Sequence, residues 1–163
     1  MRKPIGVLAA GLVLAAFVSF AWADEEKVPL DKVPAKVLEA VKAKFPDAEL
    51  TGASKEKENN EIIYEVSIKH DGHKIDVELK EDGTILAVEK TIDTKDLPEK
   101  VTDAIKEKYG KVTYKKAEEV SKKDKLEYYE VVIETADKKV FEAEVSPEGK
   151  VLKEEEKKKK EKD

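Results

Sequence analysis

"HDGH", residues 70–73, holds both histidines of the chain. An Asp-Gly pair favours a two-residue hairpin turn, which would set His70 opposite His73 on one face. Two imidazoles so placed suit a Zn²⁺ or Cu²⁺ ion. A closed zinc site takes four ligands, and the chain has no cysteine to contribute. The competing reading is two polar residues flanking a solvated hairpin tip. Weak metal binding or metal buffering through His70 and His73 is therefore an alternative to the reading developed below. The carboxylates make no calcium loop: "KEDGTI", residues 80–85, has too few ligands at the required spacing. Ser54, Ser67, Ser121 and Ser146 have no local base, because both histidines sit in one turn. The sequence points to no catalytic residue, no cofactor and no enzyme.

The chemistry that remains is surface contact. In "LEYYEVVIETADKKVFEAEV", residues 126–145, Tyr129, Val131, Ile133, Phe141, Ala143 and Val145 alternate inward. Tyr128, Glu130, Val132, Glu142 and Glu144 then face outward as the candidate binding set. Tyr128, Val132, Ile63 and Ile85 are the apolar members of an otherwise charged face. That face is mostly negative and favours a basic partner. Tyr128 is the expected anchor, since interface energy concentrates in buried aromatics.

Two phrases position these residues. "VPAKVLEAVKAKFP" at 33–46 returns as "LPEKVTDAIKEKYG" at 97–110. Val37, Ala40 and Val41, and Val101, Ala104 and Ile105, fall at helical spacing. Pro34 and Pro98 suit the first helical position. Period-two runs follow each helix. Turns at Asp71-Gly72 and Asp82-Gly83 predict that Ile68 faces Ile75, Val66 faces Val77, Tyr64 faces Leu79, and Leu79 faces Leu86. In the second half, Ala136-Asp137-Lys138 supplies an odd-length loop, and Ser146-Pro147-Glu148-Gly149 allows a loop of two or three residues. Further strands are expected in 48–57 and 112–121, where alternation is weak.

The start of the chain reads differently. Arg2 and Lys3 precede an uncharged run from Ile5 to Phe20, and "AWA" at 21–23 forms an A-x-A cleavage site. A secretory signal peptide over 1–23 is expected, leaving no membrane span after cleavage and a periplasmic or secreted product. That segment carries two bases and no acid, so the mature net charge is −7 where the whole chain has −5. The acidic balance argues against nucleic acid and anionic membranes as partners. Without cysteine the core has no disulfide.

The pattern of "LPEKVTDAIKEKY" and "VPAKVLEAVKAKF", with "EDGTIL" and "PEGKVL" closing the strands, resembles the secreted, β-lactamase-inhibitor-like group of PepSY-like domains. The resemblance covers about residues 30–153. It implies export, a binding or inhibitory role and no catalytic residues. The expected fold is α+β: two tandem repeats of one helix followed by a three- to four-stranded antiparallel meander, with the helices on one face of the sheet. The expected divisions are a signal peptide at 1–23, repeats at 28–91 and 92–153, and a charged disordered tail at 154–163. The expected function is non-catalytic binding of an envelope or secreted protein or peptide through the open sheet face.

Overall fold

The computed structural model describes residues 26–157. The expected signal peptide at 1–23 lies outside them, as do residues 158–163 of the expected tail. Nine strands form one antiparallel sheet in chain order. They are β1 (Glu26–Lys27), β2 (Glu49–Glu58), β3 (Glu61–His70), β4 (His73–Lys80), β5 (Ile85–Ile92), β6 (Val112–Lys122), β7 (Lys125–Thr135), β8 (Val140–Val145) and β9 (Val151–Lys157). Helix α1 (Ala35–Lys44) lies between β1 and β2, and α2 (Glu99–Tyr109) between β5 and β6.

This architecture corrects the expected fold class. The described residues are mostly sheet with two short α-helices, not two tandem helix-plus-meander repeats. The reason is the junction. Val88–Ile92 of β5 pairs with Ala117–Ser121 of β6, so the sheet continues without a break. A gap there would expose two rows of unpaired backbone N–H and C=O groups.

The helices begin one residue later than the proline rule suggests. Pro34 and Pro98 take extended backbone as N-caps, with ψ of 138° and 145°. Val37 and Val41 of α1, and Val101 and Ile105 of α2, are wholly buried. Each helix covers its own cluster on one face of the sheet. Tyr64, Val66, Ile68, Ile75, Val77 and Leu79 meet α1. Tyr129, Val131, Ile133, Ala143 and Val145 meet α2. Full burial of such side chains contributes roughly 1.5–3 kcal/mol each, which holds the helices to the sheet without disulfides.

The Asp71-Gly72 turn gives the expected register: His70 pairs with His73, Ile68 with Ile75, Val66 with Val77 and Tyr64 with Leu79. The next turn differs. The Lys80 N–H donates to the Thr84 carbonyl, closing a three-residue loop. A bulge at Glu78/Leu79 then pairs Leu79 with Ile85, not Leu86. The bulge carries Ile85 to the helix side, where it packs against the first cluster, so it is not part of the open face. The β7–β8 and β8–β9 loops also hold three residues each. At the β4–β5 and β8–β9 turns the tip presses on a helix. A Cβ on Gly83 would stand 2.7 Å from the Lys36 carbonyl oxygen, and one on Gly149 2.6 Å from that of Lys100.

The tail expectation also changes. Glu154–Lys157 are not a solvated tail but part of β9, paired with Val140–Ala143 of β8. Glu154 turns to the helix side, where Tyr109 and Lys108 of α2 bind its carboxylate.

Candidate functional site

The face opposite the helices curls into a cleft of about 410 Å³, lined by residues from β2 through β9. Alternation along each strand puts them there. β3 supplies Glu65 and Ser67, β4 Asp76 and Glu78, and β5 Glu89. Beyond the junction come Lys116 of β6, Tyr128 and Glu130 of β7, Glu142 and Glu144 of β8, and Lys153 of β9. Curvature buries polar groups on this side: Asp76 is 4% exposed and Glu118 of β6 is fully buried.

The register stacks like charges. Glu65 pairs with Glu78, Asp76 with Glu89, Glu118 with Glu130, and Glu130 with Glu144. Directly opposed like charges destabilise a sheet. The deepest are compensated. Ser67 Oγ donates to Asp76 Oδ1 at 2.5 Å, and Lys74 Nζ reaches Asp76 Oδ2 at 2.8 Å. Lys116 Nζ lies 2.6 Å from Glu118 Oε2, and Thr91 Oγ1 donates to Glu118 Oε1 at 3.1 Å. At the β9 side Lys153 meets Glu144 at 3.7 Å and Lys157 meets Glu142 at 3.0 Å.

The central carboxyls bind their protons more tightly instead. Burial, then the charges of Glu78, Glu130, Glu118 and Glu65, push Glu89 up to about 9. Burial raises Glu78 to about 7, with Lys122 opposing and Glu56, Glu58 and Asp76 adding to the rise. Burial and then Glu142 and Glu118 raise Glu130 to about 7 against the pull of Lys116. Tyr128 is half-buried, with Lys122 Nζ 5.5 Å from its ring centroid. Burial and then Glu144, Glu89 and Glu130 keep its phenol protonated well above the usual range. The cleft thus offers hydrogen-bond acceptors, a surplus of carboxyl groups and one aromatic wall.

Four of the five candidate binding residues, Tyr128, Glu130, Glu142 and Glu144, line this cleft together. Val132 is on the same face, half-buried and paired with Lys116 and Glu142. His70 and His73 lie elsewhere. They flank the β3–β4 turn, where the His70 ring meets Phe45 edge-on at 5.4 Å and His70 Nε2 is 3.4 Å from Asp71. Among the described residues, no three His, Cys, Asp or Glu side chains are grouped to hold a metal ion. Sequence reasoning missed Glu89 and Lys116, which enter the site only because β5 pairs with β6.

The family model described as "beta-lactamase-inhibitor-like, PepSY-like" matches residues 19–87 and 64–153. The chain belongs to this PepSY-like family. Solved structures share the fold. A DUF2874 family protein of Bacteroides uniformis aligns with a TM-score of 0.64 at 16% identity, over 76% of this chain and 88% of that one. A protein of Bacteroides eggerthii described as periplasmic aligns at 0.64 and 15%, over 76% and 88%. A BLIP-like protein of Bacteroides fragilis aligns at 0.58 and 20%, over 74% and 84%. No curated protein matches the chain.

Proposed function

We propose that this PepSY-like protein is an exported, non-catalytic binding protein of the inhibitor type, which grips an envelope or secreted protein or peptide with its open sheet face. The observation that carries the reading is the cleft itself. Eight strands contribute side chains to one concave surface, while the opposite face is occupied by its own helices. Family membership and the periplasmic description of a relative support export and an inhibitory style of contact. Tyr128, Glu130, Val132, Glu142 and Glu144 are the residues assigned to contact.

The test is capture of binding partners from envelope extract by wild type and by the variant Tyr128→Ala, Glu142→Gln, Glu144→Gln. Circular dichroism establishes that the variant is folded. Loss of the captured protein is expected. A folded variant that retains every wild-type partner rules the open face out.

A further inference from the structure

The open face has a chemical preference. Its lining contains eight carboxyl groups against four lysines. The lysines already show how the face accepts cations: Lys74, Lys116 and Lys153 lie along it, each against a carboxylate. The excess is concentrated at the centre, where Glu78, Glu89 and Glu130 come from strands on both sides of the β5–β6 junction.

Resting on the binding role above, we propose that the occupant is a lysine- or arginine-bearing segment of the partner protein, whose cationic head seats between Glu78, Glu89 and Glu130. Charge complementarity selects this occupant. An acidic segment would meet carboxyl groups from six of the eight lining strands, and a neutral one would leave the carboxyls buried against one another. A cation offsets the stacked like-charge pairs of the sheet. Tyr128, on the same face, adds a ring for the aliphatic stem of such a side chain or for a guanidinium.

The seating has a proton signature. Near neutral pH Glu89 holds its proton, and Glu78 and Glu130, raised to about 7, share theirs with solvent. The groups facing them are Glu56 and Glu58 from β2, Glu65 from β3, Asp76 from β4, Lys116, Glu118 and Lys122 from β6, and Glu142 and Glu144 from β8. An incoming cation favours the ionised carboxylates and expels the protons to solvent. Attraction at the rim of the cleft would expel none.

The experiment is titration calorimetry of the whole protein at low salt near neutral pH. The probes are three short peptides: lysine alternating with threonine, glutamate alternating with threonine, and serine alternating with threonine. Repeating the titration in buffers of different ionisation enthalpy counts the protons released. The lysine peptide alone is expected to bind, releasing protons. Glu89→Gln and Glu130→Gln are each expected to weaken it by about tenfold, as the loss of one charge contact would, and to reduce the release. Gln is close in shape to a protonated Glu, so both variants should fold. Binding without proton release, or binding indifferent to both variants, overturns the proposal. So does displacement of the peptide by equimolar Ca²⁺, which would make the occupant a metal ion, or tighter binding on removal of residues 158–163, which would make it the chain's own lysines. If the neutral or acidic peptide binds and Tyr128→Ala abolishes that binding, the face still binds and only the cationic occupant is wrong.

Discussion

Alkali should loosen this fold, and the cleft says by how much. Below its ordinary value of 4.5, each of Glu78, Glu89 and Glu130 is protonated in the folded and unfolded chain alike. Above 4.5 the unfolded chain gives up these protons while the folded chain keeps them, to about 7 for Glu78 and Glu130 and about 9 for Glu89. The folded state then binds more protons, so stability falls as pH rises through this window. One pKa unit corresponds to 1.36 kcal/mol, so the rise at Glu130 alone costs about 3 kcal/mol once the pH exceeds both values. The three carboxyls repel one another, and the cost of the set is less than the sum of its parts. A joint loss of about 3–6 kcal/mol is expected, against a total stability of about 5–15. For a chain of this size that lowers the melting temperature by about 10 °C or more. Exposed Asp82, Asp93 and Asp137, held below their ordinary value by hydrogen bonds, act in the opposite sense, but only as pH falls below about 4. Thermal melts followed by circular dichroism from about pH 5 to about pH 9 read the effect. Glu89→Gln should flatten the profile and melt above wild type at the alkaline end. A wild-type melting temperature that stays level or climbs across this range would refute the assignment of buried, mutually opposed carboxyls.

Three further outcomes are expected. Ile105→Asp and Val41→Asp should each unfold the protein, since an unpaired charge under a helix costs several kcal/mol; a cooperative melt near the wild-type temperature would contradict the packing of either helix. Gly149→Ala should lose about 1–3 kcal/mol in denaturant titration, because its φ of +86° and the Lys100 carbonyl both oppose a Cβ, whereas Gly72→Ala, with φ of +79° and open space around it, should lose less. His70→Ala with His73→Ala should cost about 1 kcal/mol or less, the worth of one aromatic contact with Phe45; a rise in melting temperature with Zn²⁺, seen in wild type but not in this variant, would restore the histidine alternative.

Turn chemistry made much of the local structure legible. Asp71-Gly72 fixed the pairing of β3 with β4, and alternation put Tyr64 and Tyr129 under the helices and Tyr128 on the other face. Ile85 was misplaced because a bulge adds a residue to one strand without altering the hydrophobic count. β2 and β6 were faint because lysine and glutamate fall on both faces over Lys55–Glu58 and Lys115–Glu119. The join between β5 and β6 was not legible at all. Backbone hydrogen bonds carry it, and they leave no mark on side-chain pattern. For the same reason the cleft was only half visible: Glu130, Glu142 and Glu144 lie on one hairpin, but Glu89 reaches them only across that join. Glu154–Lys157 read as a solvated run, yet pairing with β8 supplies Glu142 for Lys157 and the α2 side chains for Glu154.

The central claim is that binding uses the concave face. A photo-crosslinking amino acid placed at Tyr128, in the cleft, and separately at Lys42, on the exposed side of α1, tests it most directly. After irradiation in envelope extract, a discrete covalent adduct is predicted from position 128 and none from position 42. The same adduct from position 42, with nothing from position 128, would contradict the account.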